Sequence, residues 1–524
     1  MSTRASLVAL VALSTAGCGG GSSPPPPAAD LGPVDDLVFP KGFLFGTATA
    51  GFQVEMGCPT IDPAQCEDRA SDWYEFVTTP SLVADQGLFI AGDPPSSGPG
   101  FYELYPADLD RAKNELHNNA LRLSIEWSRI FPKSTIGVED PAALKAMANR
   151  QGLTFYHALF AAMKLRGLHP LVTINHYVLP AWIEDPIHCH PSLTAPDCKA
   201  KGWDDPTTIE HEIAKYAGFL GREFGGEVDD WATLNEPFTA VILPSFLFQS
   251  AQRTNPPGDT LQFAAAKTAM VAEIEAHAKM VDAVRANDTV DADGDGKPAR
   301  VGIVYNMEVV APDNPDDPQD QAAAKNADYL LNQVFLNAVA SGDLDANLDG
   351  NTVHRDDLAN RMDFIGVNYY ARLVVQGAPG SFFPQISSLL TFNPLTLSYD
   401  YQYPRGIYDV LMEAKKWGVP LLISETGAGA SDSANGGQAD WVGATLTWVK
   451  RAIDDGATVT GYFYWTLMDN YEWNHGMQLK FGLYGVDPKD PTKARTARAG
   501  VAAYAAIAAP GAIPPDVAAK FPRQ

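Results

Sequence analysis

The stretch Trp231-Ala-Thr-Leu-Asn-Glu-Pro237 is a short apolar run that ends on a carboxylate and a proline. It reads as a buried strand that delivers Glu236 where the strand stops. A second stretch, Pro420-Leu-Leu-Ile-Ser-Glu-Thr-Gly427, repeats the device with Glu425. Six further runs share the apolar, strand-length character: Phe43–Ala50, Ala120–Trp127, Pro170–His176, Arg300–Asn306, Asp363–Tyr370 and Thr460–Leu467. Between the eight lie stretches with helical spacing, among them Ala143–Arg166, Thr208–Phe224, Leu261–Arg285, Gln321–Ala340, Tyr408–Trp417 and Trp441–Asp455. Alternating strand and helix units of this number predict an α/β fold, a single (β/α)8 TIM barrel over residues 37–510 with long βα loops. Arg495–Ala509 is expected as the closing helix, Gly377–Tyr403 as a long loop near the barrel mouth, and 511–524 as a C-terminal tail. In such barrels the chemistry sits at the C-terminal ends of the strands, which is where Glu236 and Glu425 fall.

The composition fits a large packed core: of 524 residues, 46% are hydrophobic and 10% aromatic. A formal charge of -25 argues against nucleic acid, which is bound through Lys and Arg. It suits a neutral ligand.

The chain opens with Met1-Ser-Thr-Arg4, then the apolar run Ala5 to Ala16, which is too short to span a bilayer. Gly17 and Cys18 follow, then a Gly/Ser/Pro-rich stretch over 19–36 that reads as a tether. Residues 1–18 resemble a bacterial lipoprotein signal ending at a lipidated Cys18, although Thr15 stands where leucine is usual. The expectation is an exported protein, lipid-anchored in the cell envelope or else periplasmic or secreted, that meets a membrane only through that anchor. The remaining cysteines are paired in sequence, Cys58 with Cys66 and Cys189 with Cys198, so two local disulfides are expected. Four free thiols are the alternative. A zinc site at His188, Cys189 and His190 lacks a Cys-x-x-Cys partner.

A pair of carboxylates at strand ends supplies what a retaining glycosidase needs, a proton donor and a nucleophile. Seven motifs in order resemble glycoside hydrolase family 1, the β-glucosidase family. They are Phe43-Leu-Phe-Gly-Thr-Ala-Thr-Ala-Gly-Phe-Gln53, Leu121-Arg-Leu-Ser-Ile-Glu-Trp-Ser-Arg-Ile-Phe-Pro132, Val172-Thr-Ile-Asn-His176, Thr233-Leu-Asn-Glu-Pro237, Asp363-Phe-Ile-Gly-Val-Asn-Tyr-Tyr370, Ile423-Ser-Glu-Thr-Gly427, and Gly461-Tyr-Phe-Tyr-Trp-Thr-Leu-Met-Asp-Asn-Tyr-Glu-Trp473. The resemblance implies that Glu236 is the acid/base and Glu425 the nucleophile, within about 5–5.5 Å of each other. It implies that Arg122 and Tyr370 hold Glu425 ionised, that Asn235 binds the sugar 2-OH, and that Asn368 supports the site. Gln53, His176, Trp465, Glu472 and Trp473 would form the sugar pocket. A carboxylate at Glu472 would repel a phosphate, so neutral sugars are expected, with glucose first and galactose or fucose as alternatives. Two positions depart from the family pattern: Thr426 follows the nucleophile where Asn is usual, and Tyr177 follows the histidine where Trp is frequent.

The implied activity is a retaining β-glucosidase acting on a neutral β-glycoside or oligosaccharide. The alternatives are a transglycosylase using the same residues and a sugar-binding protein without catalysis. No cofactor is required. Two segments outside the family pattern resemble the beginnings of calcium loops: Asp291-Ala-Asp-Gly-Asp-Gly296, with Asp291, Asp293 and Asp295, and Asp345-Ala-Asn-Leu-Asp-Gly350, with Asp345, Asn347 and Asp349. Neither continues to the usual Glu at its twelfth position, where Gly302 and Asp356 stand. Calcium here would be structural.

Overall fold

The computed structural model describes residues 37–238, 245–246, 254–392, 397–429 and 437–522. Cys18, the leader and the tether lie outside the described residues. The eight expected strands all form: β1 (Leu44–Ala48), β2 (Ala120–Ser124), β3 (His169–Asn175), β4 (Asp230–Asn235), β5 (Arg300–Asn306), β6 (Ile365–Asn368), β7 (Leu421–Glu425) and β8 (Val459–Trp465). They pair in parallel around a closed barrel, β1 meeting β8 in the register Leu44↔Gly461 to Ala48↔Trp465. Runs such as Leu-Leu-Ile-Ser-Glu in β7 are buried throughout, as parallel strands covered on both faces require.

The barrel interior is filled by Ala48, Ala120, Leu171, Ala232, Val304, Phe364, Leu422, Phe463 and Trp465. Gly46 on β1 makes room for Phe463, because a Cβ there would stand 2.4 Å from its ring. A second and larger apolar layer lies between the strands and the surrounding helices. These are α1 (Phe101–Asp110), α2 (Arg150–Arg166), α3 (Pro206–Phe224), α4 (Phe263–Asn287), α5 (Val334–Ser341), α6 (Gly406–Ala414), α7 (Gly437–Asp454) and α8 (Ala499–Ala508). Local sequence sets their limits. α3 starts with Pro206 and is capped by Asp205, which accepts the Thr208 N–H at 3.3 Å. Its buried Ile209, Ile213, Tyr216, Leu220 and Phe224 recur every three or four residues and join the large apolar layer. α2 ends at Gly167, whose φ of +61° a side chain would resist.

The structure revises several boundaries. Ala143–Arg166 is two helices, Pro141–Met147 and α2, because Ala148 turns extended and Asn149 caps the second. Gln321–Ala340 is broken into Pro318–Asp328, a wide turn at Tyr329–Gln333, and α5. Arg495–Ala497 is not helical: it forms a strand antiparallel to Tyr484–Val486, and α8 begins only at Ala499. Within Gly377–Tyr403, Ser398–Asp400 joins Arg372–Val375 and Val309–Pro312 in a small sheet. Residues 511–522 lie against the start of the barrel, with Ile513 buried and its N–H bonded to Leu37 O at 2.8 Å.

Cys189 and Cys198 are disulfide-bonded. The second expected bridge is absent: Cys58 and Cys66 are thiols. The two thiols are hydrogen-bonded to each other, and each also meets backbone, Cys58 Sγ donating to Glu55 O at 3.5 Å and Cys66 Sγ accepting the Cys58 N–H at 3.4 Å. Among the described residues no helix is long and apolar enough to cross a membrane.

Candidate active site

Strands β4 and β7 end on the same rim and carry Glu236 and Glu425 into it. Glu236 sits one residue beyond β4 at φ +45°, its N–H held by Val304 O at 2.9 Å. This left-handed turn swings the carboxyl off the strand path and inward. Asn368 Nδ2 donates to Glu236 Oε1 at 2.6 Å, and the Tyr177 hydroxyl donates to Oε2 at 2.7 Å. Glu425 has a different surround. Arg122 Nη1 donates to its Oε1 at 2.5 Å and the Tyr370 hydroxyl to its Oε2 at 2.7 Å.

The two carboxyls are therefore set apart electrostatically. Burial first, and then the Glu425 carboxylate, push Glu236 up to about 7; Asn368, Tyr177 and Arg122 oppose this. Burial also pushes Glu425 up, but the Arg122 guanidinium and the Tyr370 hydroxyl pull it back. Only Glu425 has a cation in direct contact, at a buried site, so Glu425 gives up its proton first and Glu236 keeps one.

Arg122 is the hub. On β2, 1% exposed, it bonds Glu425 and Ser424 O through Nη1, Asn235 Oδ1 through Nη2 at 2.7 Å, and Thr173 through Nε at 3.1 Å. Asn368 is fixed in turn by Ser424 Oγ at 2.7 Å. Every residue expected at the reaction centre is brought together here.

The residues expected to line a sugar pocket gather beside it. Gln53 Nε2 donates to Glu472 Oε2 at 3.2 Å, and Asn470 Nδ2 donates to the same oxygen at 2.5 Å. Burial holds Glu472 at about 7, against the pull of Asn470. His176 is buried and its imidazole is pushed well below its usual range, so it is neutral. Its ring lies parallel to those of Trp465 and Trp473, at 5.8 and 6.0 Å. Trp473, at φ +50°, is backed by Phe52 and Trp73. Gln53 Oε1, His176 Nδ1 and Asn470 Oδ1 are buried without a protein partner. Buried polar atoms are costly in that state, and a ring of hydroxyls is a ligand that would satisfy them.

Three contributors escaped the sequence reading. Asn470 lies inside the last motif, where its type and spacing give it no signal of its own. Tyr177 is visible only as a departure from the family. Glu308, just past β5, is buried with Oε2 unpartnered, and burial holds it at about 8, with Glu236 adding to the effect; nothing in its local sequence marks it.

The acidic loops lie elsewhere. Asp291 and Asp293 gather with Asp229 so that their carboxylate oxygens fall within 4.8 Å of one another, next to the starts of β3, β4 and β5 and opposite the catalytic rim. Asp295 turns away toward Arg300. In the second loop Asp345 accepts the Asp349 and Gly350 N–H groups and the Tyr329 hydroxyl.

The sequence model of glycosyl hydrolase family 1 matches residues 36–511. A β-galactosidase from Pyrococcus woesei is 36% identical, over 86% of this chain and 93% of its own. A 6-phospho-β-galactosidase from Lacticaseibacillus rhamnosus is 29% identical over 86% of this chain and 94% of its own. Among solved structures, the β-glycosidase of Thermosphaera aggregans superposes with a TM-score of 0.75 at 28% identity, covering 92% of this chain and 98% of that one.

Proposed function

We propose that this chain, which belongs to glycosyl hydrolase family 1, is a retaining β-glucosidase acting on neutral, terminal β-D-glycosyl residues, glucose foremost. The supporting observation is the contrast between its two buried glutamates: Glu425 touches a guanidinium, and Glu236 does not. In the first step a Glu425 oxygen attacks the anomeric carbon. The glycosidic C–O bond breaks, its electron pair goes to the leaving oxygen, and that oxygen takes the Glu236 proton. Glycosylation removes the Glu425 charge, and the acidity of Glu236 rises accordingly. Glu236 then accepts a proton from water as the water oxygen attacks the same carbon and the Glu425 ester bond breaks, releasing a β-sugar. Asn235, oriented by Arg122, binds the 2-OH in this reading, a contact that strengthens in the transition state.

A neutral sugar is favoured because Glu472 is a carboxyl whose hydrogen-bond partners are the amides of Gln53 and Asn470. Such a pocket accepts and donates to hydroxyls and disfavours a sugar phosphate, despite the named activity of the Lacticaseibacillus relative. The test is release of p-nitrophenol from its β-D-glucoside. Glu425→Gly abolishes it, and added azide restores turnover with α-glucosyl azide as product. An unimpaired Glu425→Gly protein would remove the assignment.

A further inference from the structure

The Tyr177 hydroxyl joins the two catalytic glutamates through one chain of hydrogen bonds. Arg122 donates to Glu425 at 2.5 Å and to Asn235 Oδ1 at 2.7 Å. Asn235 Nδ2 donates to Tyr177 OH at 2.7 Å, and Tyr177 OH donates to Glu236 Oε2 at 2.7 Å. The direction of each bond is forced. A guanidinium can only donate, so Asn235 turns its carbonyl to Arg122 and its N–H to the phenol. The phenol, already accepting, turns its proton to Glu236. Burial, and then the Glu236 carboxylate, push the Tyr177 phenol well above its usual range, so it keeps that proton.

We propose that Tyr177 is a positioning residue for the acid/base: its hydroxyl, fixed by Asn235, holds Oε2 of Glu236 as an acceptor and so favours the ionised carboxylate that activates water. With Asn368 on Oε1, both Glu236 oxygens are acceptors. This offsets part of the upward push of burial and leaves Glu236 at about 7. The other titratable or charged groups acting on Glu236 are Glu425 on β7, Arg122 on β2, Tyr370 after β6 and Glu308 after β5. All stay in place when Tyr177 alone is changed.

The proposal rests on the retaining-hydrolase reading. Tyr177→Phe keeps the ring against His176 and Trp473 and removes only the hydroxyl. Two pH profiles are measured. With a poor leaving group such as a methyl β-D-glucoside, kcat/KM needs protonated Glu236, and its alkaline limb moves up by roughly one pH unit. With a dinitrophenyl β-D-glucoside, hydrolysis of the glycosyl-enzyme limits kcat and needs ionised Glu236, so the acidic limb also moves up. Tyr177→fluorotyrosine, a stronger donor of the same shape, moves both limbs down and serves as well if the Phe protein does not fold. A merely structural residue lowers rates without moving either limb. Limbs that stay in place or move the opposite way overturn the proposal. A wild-type protein inactive on both glucosides removes the hydrolase reading instead, whereas an active one with unmoved limbs removes only the role of Tyr177.

Discussion

Arg122 is where one side chain does most to divide the labour of the site. A guanidinium at 1% exposure must have a carboxylate partner, and here that partner is Glu425, the proposed nucleophile. Removing it has a predictable sign. Arg122 favours ionised Glu425, so without it Glu425 keeps its proton to higher pH, and kcat/KM needs that proton gone. In Arg122→Gln the acidic limb of kcat/KM therefore rises, and the maximal rate falls by at least about a hundredfold as Asn235 also loses its anchor. A pH–rate profile with the limb unmoved would mean that Arg122 only fills space. Tyr177 shows what a sequence withholds at this scale. An arginine inside an apolar run announces that it needs a partner. A tyrosine after a histidine does not announce that a backbone at φ +68° will turn its hydroxyl onto a carboxylate contributed by the next strand. Glu308 is the same case: its burial is produced by tertiary packing alone.

At the scale of elements, the strands were legible because each is a buried apolar run ending on a turn residue or a functional group, and a barrel repeats that unit eight times. Boundaries were less so. Arg495–Ala497 continues into a helical, alanine-rich run, and only its pairing with Tyr484–Val486 makes it a strand. Strand pairing also explains the ion cluster at the opposite end of the barrel. Asp230 at the start of β4 binds His169 at the start of β3, at 2.7 Å, and Arg300 at the start of β5, at 2.6 Å. It thereby pins three neighbouring strands in register. Burial works against both charges of the first pair, but their mutual hydrogen bond wins, raising His169 and lowering Asp230. The Asp230 contribution is present above about pH 4 and is lost as pH falls through its depressed folded value. The His169 contribution is present below about pH 6.5 and is lost as pH rises through its raised folded value. Asp230→Asn should thus cost about 3 kcal/mol, the low end for a buried pair because His169 and Arg300 are partly exposed. Its deficit in melting temperature should be widest between about pH 4 and 6.5 and narrow on either side. Because the cluster is remote from the rim, kcat/KM of the folded variant should match wild type. A deficit independent of pH would show that packing, not charge, is what Asp230 supplies.

The whole molecule combines a surface of net negative charge with a site that is closed to it. Acidic residues number 63 against 38 basic ones, so the folded chain repels itself and repels anions. Glu236, Glu425, Arg122 and Glu472 are buried or nearly so, and dissolved ions screen interactions between such groups far less than those on the surface. The two populations of charge should therefore respond differently to salt. Raising ionic strength shortens the screening length to about 8 Å at 0.15 M, weakens the surface repulsion and raises the melting temperature. A neutral aryl β-glucoside approaches without long-range steering, so its kcat/KM should stay nearly flat over the same range. A phosphorylated glycoside should be a poor substrate at low salt, because it meets the acidic surface first and Glu472 afterwards. Its kcat/KM should rise with salt as the first barrier is screened, yet remain below that of the neutral sugar because the second lies inside the pocket. Measuring both substrates across one salt series separates the two barriers. A neutral-sugar kcat/KM that fell steeply with salt would place a surface charge in the rate-limiting encounter, and a phosphorylated sugar that overtook the neutral one would overturn the role given to Glu472.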